Sequence, residues 1–340
     1  MKIHITNLYG RGDTIGKAQQ TTAYIAKKDL HYNELGIYKY PMESDTPEML
    51  RTRLDGIMAS VSHGDIVIFQ LPTWNGFKFD EAFVEHFNGY RNLKKIFFIH
   101  DIPPLMNEGV PENLDRYISF FNRADLIILP SKNMVDYLRA RGLTAKKVVI
   151  QRMWDSPVDI DLTIKIEFRK RINFATSIVS FLYPFVQNWN NDQIELAITA
   201  EPRQYIWENK EKIQFLGWYN NQSLLANSLR RSGGFGLLWR DDAMWMEYMK
   251  LNACSKLGTY FSAGLPVIVH NSNPEVEVIR KKKLGIAVET LDEAIEKVKY
   301  MAVEEYDQMV QAVDYFGNLV RNGYFTKKML IDAVFYLLYD

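Results

Sequence analysis

Asn252-Ala253-Cys254-Ser255-Lys256-Leu257-Gly258-Thr259-Tyr260-Phe261-Ser262-Ala263-Gly264-Leu265-Pro266-Val267-Ile268-Val269 reads as a helix that stops at a glycine and drops into a buried strand. Leu257, Tyr260 and Phe261 fall at helical spacing on one face. Gly264 supplies the left-handed residue that closes the helix. Pro266 opens the strand, where a missing N–H costs least. Asn252 and Lys256 are four apart, so both are expected to project from one side of the helix start. A helix N-terminus carrying an amide and an ammonium suits a diphosphate.

Units of this kind recur on either side of the stretch. Strands are expected at residues 2–6, 34–38, 65–70, 95–100 and 125–129. Helices are expected at 17–28, 46–62, 80–92, 113–122 and 132–141, the last capped by Ser131 and stopped by Gly142. Runs such as Ile66-Val67-Ile68-Phe69 are apolar throughout, which indicates parallel strands covered on both faces. A linker around 154–164, with Pro157 and several aspartates, breaks the pattern. A second series follows, with strands at 171–175, 194–199, 213–216, 235–239, 267–269 and 285–288. Helices fit at 222–232, 245–262, 274–282 and 291–301, and the tail 304–340 is strongly helical. Two doubly wound α/β domains in tandem are expected to turn their strand C-termini toward a shared cleft.

Composition narrows the function. The chain has 340 residues, 47% of them apolar and 24% charged, enough for two domains with large cores. Lys plus Arg and Asp plus Glu balance at 41 each, which argues against a nucleic-acid partner. The single cysteine, Cys254, allows no intrachain disulfide and fits a reducing compartment. The first residues lack the apolar core of a signal peptide, and no apolar run reaches the ~18 residues of a membrane span. A cytoplasmic protein is expected.

Several strand ends carry chemistry. Gly10-x-Gly12-x-x-x-Gly16 departs from the dinucleotide fingerprint; it reads equally as a turn or as backbone open to a phosphate or a sugar. Phe69-Gln70-Leu71-Pro72-Thr73-Trp74-Asn75 ends a strand with an aromatic and amides, which suit sugar faces and hydroxyls or plug a loop. Ile99-His100-Asp101-Ile102-Pro103-Pro104 brings an imidazole and a carboxylate to a strand end, where the carboxylate can accept a proton or cap a turn. Gly217-Trp218-Tyr219 offers two aromatics that could flank a base. Asp241-Asp242 lacks a third ligand nearby, so capping is favoured over metal binding. Lys256, just ahead of a buried strand, reads as functional. Cys254 reads as buried in a helix. Zinc spacings, a Walker loop and a Gly-x-Ser-x-Gly elbow are lacking.

Taken together, the stretches at 64–75, 98–101, 124–131, 233–242 and 255–269, with Gly323-Tyr324-Phe325-Thr326 in the tail, resemble one family nearly end to end. It is the GT-B glucosyltransferases that extend O-linked GlcNAc on serine-rich repeat adhesins of Gram-positive bacteria. Bacterial galactofuranosyltransferases share much of the skeleton. The resemblance implies two Rossmann-like domains: 1–155 on the acceptor side, 165–315 on the nucleotide-sugar side, and a helix in 316–340 crossing back to the first. It implies metal-independent transfer of a hexose (glucose favoured, GlcNAc possible) from a UDP-sugar to a GlcNAc-bearing protein, with no cofactor beyond the donor. It also implies a homo-oligomer, a tetramer by preference.

On this basis Asp101 is the candidate general base. Gly16, Thr176, Trp218, Tyr219, Asn252 and Lys256 are the nucleotide-sugar candidates, and Trp74, Asn75 and His100 the acceptor candidates. The acceptor would enter over Gly16, Trp74 and Asp101. The family tends to carry a Gly-Asn turn and a basic residue after the strand at 172–174. Here the turn is Ala175-Thr176-Ser177-Ile178-Val179-Ser180, so another group is expected to grip the diphosphate, with Arg171, Arg240 and Lys256 as candidates. The alternatives are a galactofuranosyltransferase of polysaccharide synthesis and a non-catalytic glycoprotein-binding partner. A nicotinamide oxidoreductase is disfavoured by the missing fingerprint.

Overall fold

The computed structural model describes residues 1–106, 113–176, 183–200 and 210–339. The chain forms two compact units. Unit 1 holds Met1–Arg152, Leu251–Ala253 and Phe325–Asp340; unit 2 holds Met153–Lys250 and Cys254–Tyr324.

Unit 1 runs β1 (Ile3–Tyr9), α1 (Thr14–Leu30), β2 (Asn33–Tyr38), α2 (Pro47–Met58), β3 (Ile66–Leu71), α3 (Phe77–His86), β4 (Lys94–Ile99), α4 (Pro103–Met106), α5 (Leu114–Phe121), β5 (Leu126–Leu129), α6 (Lys132–Arg139) and β6 (Val148–Ile150). The sheet is parallel throughout, in the order β2-β1-β3-β4-β5-β6. β3 is buried along its whole length, as an apolar run covered on both faces requires, whereas the edge strand β2 alternates. Phe69 of β3 anchors an aromatic core with Phe83, stacked at 4.7 Å, and Phe97 of β4, edge-on at 6.1 Å.

Unit 2 runs β7 (Arg171–Phe174), α7 (Pro184–Gln187), β8 (Glu195–Ile198), β9 (Ile213–Phe215), α8 (Gln222–Ser232), β10 (Phe235–Leu238), α9 (Ala243–Met249), α10 (Ser255–Ala263), β11 (Val267–His270), α11 (Val276–Lys281), β12 (Gly285–Val288), α12 (Leu291–Tyr300) and α13 (Val303–Arg321). Its parallel sheet has the order β12-β11-β10-β7-β8-β9. That is the dinucleotide-fold order, with the chain reversing direction between β7 and β10. The last helix, α14 (Tyr324–Tyr339), returns from Phe325 onward to unit 1. There Lys327 pairs with Asp29 of α1 at 3.1 Å, and Lys147 donates to the Tyr336 carbonyl at 3.0 Å.

The strand series and most helices form where their apolar runs fall, with capping side chains at Thr46, Asn113, Ser131, Asn221, Asp242 and Thr290. Three readings are corrected. The first helix starts at Thr14 rather than 17, because Asp13 accepts the Gly16 N–H at 3.0 Å and sets the N-cap there. The helix expected over 245–262 is two, α9 and α10, broken at 250–254. Asn252 therefore shares no helix face with Lys256. Cys254 takes the N-cap position of α10, half-buried, rather than lying inside a helix. Gly264 closes α10 in the left-handed conformation at φ 86°, as its place before Pro266 requires. The three-residue strand β6 is too short to show as a periodicity.

Candidate active site

Ligands of open parallel sheets gather outside the strand C-termini at the point where strand order reverses. In unit 1 that point lies between β1 and β3. The loops leaving these strands touch: the Arg11 guanidinium lies over the Trp74 ring, 4.5 Å from its centroid. Arg11 Nε also donates to Asp13 at 2.7 Å, so the cap of α1 and the platform of Trp74 are one linked structure.

Trp74 is held in an uncommon conformation, at φ 60°, which a bulky residue adopts only when its surroundings enforce it. The neighbours supply the enforcement. Thr73 donates its Oγ1 (2.5 Å) and N–H (3.3 Å) to the buried Asp80 carboxylate of α3. Gln19 of α1 donates to the Pro72 carbonyl at 2.8 Å, following a cis Leu71–Pro72 bond. Asn75 donates to the Tyr38 carbonyl (3.2 Å) and accepts from the Tyr40 N–H (2.9 Å). Its amide thus clamps the end of β2. The Trp74 Nε1 is buried and has no partner among the described residues, a donor left for something else to satisfy.

Gly16 has a purely local reason to be glycine. A Cβ there would stand 2.2 Å from the Arg11 carbonyl, and the Gly16 N–H is already spent on Asp13. Its place in the first turn of α1 supports the turn reading.

One strand further on, β4 delivers His100 and Asp101. His100 is buried, its ring 4.2 Å from that of Phe98, and burial pushes its imidazole down to about 3. It is neutral at physiological pH, so it adds no charge beside Asp101. Asp101 is half-buried and accepts a hydrogen bond from Asn252 Nδ2 at 3.1 Å. Asn252 is held at this position from the preceding residue, where Ser131 Oγ donates to the Leu251 carbonyl at 2.5 Å, and Leu251–Ala253 groups with unit 1. The structure thus brings Asn252 to the proposed base.

In unit 2 the reversal lies between β7 and β10. Tyr260 of α10, fully buried, ties it together: its hydroxyl accepts the Ala175 N–H (2.8 Å) and donates to the Leu237 carbonyl (2.9 Å). Its ring lies flat under Gly236, where a Cβ would come within 2.3 Å. Thr176 follows, its N–H donating to Thr199 Oγ1 (3.0 Å), which donates back to the Thr176 carbonyl (3.1 Å). The rest of the turn, Ser177–Ser180, lies outside the described residues. After β10, Arg240 sits between the rings of Tyr183 and Trp245, 4.7 Å from each. Among the described residues it has no carboxylate partner. Lys256 occupies the first turn of α10. A crossover helix between parallel strands starts at their C-terminal edge, so this lysine stands on the ligand side of the sheet, also without a partner among the described residues.

The other candidates divide. Arg171 opens β7 at the opposite edge of the sheet, bound to Glu195 (2.5 Å) and the Ser232 carbonyl (3.0 Å), and is removed as a diphosphate grip. Trp218 is 52% exposed after β9, while the Tyr219 hydroxyl is spent on the Leu216 carbonyl and Ser228 Oγ. Asp242 caps α9, and Asp241 accepts the Phe185 N–H at 2.8 Å, so the pair is structural. Among the described residues no group of three His, Cys, Asp or Glu is placed to hold a metal ion. No described helix is long and apolar enough to cross a membrane. Sequence reasoning missed Tyr260, Arg11 and Asp80. A tyrosine on an apolar helix face reads as core, and only the register of the loops reveals the other two.

Comparison with known proteins agrees with this architecture. Residues 2–153 match the family described as Glucosyltransferase 3-like, N-terminal domain, and residues 172–333 the corresponding C-terminal domain. The chain is 41% identical to Glucosyltransferase 3 of Streptococcus gordonii (99% of this chain, 100% of the relative). It is 37% identical to Glucosyltransferase 3 of Streptococcus parasanguinis (all of both). Beta-1,6-galactofuranosyltransferase WbbI of Escherichia coli is more distant, at 21% over 96% of both chains. Two solved structures share the fold at 11% identity. The lipopolysaccharide outer core galactosyltransferase WaaB aligns with a TM-score of 0.63 over 99% of this chain and 100% of its own. Anabaena HepE, in complex with UDP and glucose, aligns with 0.61 over 98% and 99%. With both halves of the chain matched and the sheet order of each unit in place, the chain belongs to the Glucosyltransferase 3 family of GT-B glycosyltransferases.

Proposed function

We propose that this glycosyltransferase moves glucose from UDP-glucose to GlcNAc carried on an O-glycosylated serine-rich repeat adhesin. The observation that carries the reading is the 41% identity, over essentially the whole of both chains, to a Glucosyltransferase 3. The nucleotide lies at the β7/β10 reversal of unit 2. Lys256 and Arg240, both in the segment that follows β10, take the diphosphate; Thr176, Trp218 and Tyr219 line the nucleotide. In unit 1, Trp74 and the Asp101 end of β4 take the acceptor sugar.

Asp101 withdraws the proton from the acceptor hydroxyl as that oxygen bonds to the anomeric carbon of the donor. The bond from that carbon to the diphosphate breaks, and the electron pair leaves with UDP, whose charge Lys256 stabilises. Attack assisted by a separate base inverts the anomeric centre, and no metal is required. A thermal-shift panel of UDP-glucose, UDP-GlcNAc and UDP-galactofuranose, followed by transfer to a GlcNAc-bearing peptide, tests the donor and acceptor together. Absence of UDP release with every donor would leave the non-catalytic reading. Galactofuranosyl transfer is the second reading, supported by the end-to-end match to WbbI and by the changed turn after β7.

We also infer a cytoplasmic homo-oligomer. Ile331, Phe335 and Leu338 share one exposed face of α14, with Phe335 59% accessible and stacked on Tyr339. An apolar face of this kind suits a second copy. Light scattering on Phe335→Ser tests it, a fall in mass being the expected result.

A further inference from the structure

We propose that Asn252 is an acceptor-side residue: it orients Asp101 and receives a second hydroxyl of the acceptor sugar on its own side-chain oxygen. The inference rests on the reading of Asp101 as base and extends it. An ionised carboxylate only accepts hydrogen bonds, so the Asn252 side chain must turn its NH2 toward Asp101, as it does at 3.1 Å. Its Oδ1 then faces away. That oxygen is buried and has no donor among the described residues. A buried acceptor left unpaired is costly and calls for an occupant. The complement is an O–H. A sugar ring carries hydroxyls on neighbouring carbons, so one can give its proton to Asp101 while the next donates to Asn252 Oδ1.

The main chain is arranged to hold the amide there. The break between α9 and α10 sends Leu251–Ala253 into unit 1. Ser131 pins the Leu251 carbonyl at 2.5 Å while its Oγ accepts the Met134 N–H at 3.0 Å to cap α6. The strap is therefore fastened one residue before Asn252, to the loop that follows β5, next to the loop that follows β4.

The test compares Asn252→Ala and Asn252→Asp with the parent chain in acceptor-dependent initial rates, pH–rate profiles and UDP calorimetry. Asn252→Ala is expected to lower kcat/KM for the acceptor roughly 10- to 100-fold, with UDP affinity unchanged. It should also move the acid limb of the profile to higher pH, because the Asp101 carboxylate has lost a donor. Asn252→Asp, which sets a like charge beside Asp101, should move that limb further. Unchanged acceptor parameters and an unchanged profile would overturn the proposal. So would a loss confined to UDP affinity, which would return Asn252 to the nucleotide. Asp101→Asn separates the two ideas. Turnover retained there removes the base alone, whereas turnover lost there with Asn252→Ala inert removes only the present proposal.

Discussion

Among the described residues the two sheets have the same strand count and the same parallel construction, yet the residues at their strand ends are chemically opposite. The edge of unit 1 collects an aromatic platform, a neutral buried imidazole, a carboxylate and buried polar atoms awaiting partners at Trp74 and Asn252. The edge of unit 2 collects two cations free of carboxylates among the described residues, with backbone groups locked by tyrosine and threonine hydroxyls. A parallel sheet supplies only the location of a site. What leaves each strand end decides whether it takes a hydroxyl-rich neutral group or an anion.

That division can be broken by experiment. The largest effect is expected from Asp101→Asn, which should cut transfer by roughly 10²- to 10⁴-fold while leaving UDP affinity intact. Initial rates alongside calorimetry measure it. Lys256→Ala should do the reverse, weakening UDP binding roughly 10- to 100-fold. Should calorimetry find both variants affecting the same step, the contrast between the edges fails.

Tyr260→Phe sharpens the picture within unit 2. It keeps the ring under Gly236 but leaves the Ala175 N–H and Leu237 carbonyl without their shared partner. A loss of about 1–3 kcal/mol in urea unfolding is expected. UDP affinity should fall as well, because Ala175, the residue before Thr176, then loses the hydroxyl that holds its N–H.

The smallest effect concerns pH. Burial pushes the Asp80 carboxyl up to about 7, against the two hydrogen bonds from Thr73 that lower it. Between its ordinary range and about pH 7 the folded chain holds a proton that the unfolded chain has released. Stability therefore falls as pH rises through that window. Asp80→Asn keeps the acceptor for Thr73 and removes the titration. It should flatten the pH dependence of Tm and stabilise the chain at pH 8 relative to the parent. A steeper dependence in the variant would refute the assignment.

Much of this architecture is legible in the residues. Strands such as Phe235–Leu238 are apolar throughout because both faces are covered, and Ser131 and Asp242 announce helices by their side chains. Strand order is not legible, since nothing in a strand names its neighbours. The reversals that locate both edges appear only in the fold. The helix face expected to be shared by Asn252 and Lys256 is absent because the helix is interrupted at 250–254, where the Ser131 hydroxyl, 120 residues away in sequence, takes the Leu251 carbonyl. Asp80 reads as a helix start because an aspartate usually caps. Here the helix begins at Phe77, which carries Asp80 into the core beneath Thr73.

The return of α14 has a consequence for how the chain is made. Most of unit 1 emerges from the ribosome first, but its sheet is joined by a helix encoded more than 170 residues after β6. During synthesis the early sheet must wait, with the α1 surface near Asp29 uncovered, until Lys327 and the residues after it arrive. A fragment ending near Arg152 thus lacks the helix that pairs with Asp29. Chaperone dependence should track the delay between β6 and α14.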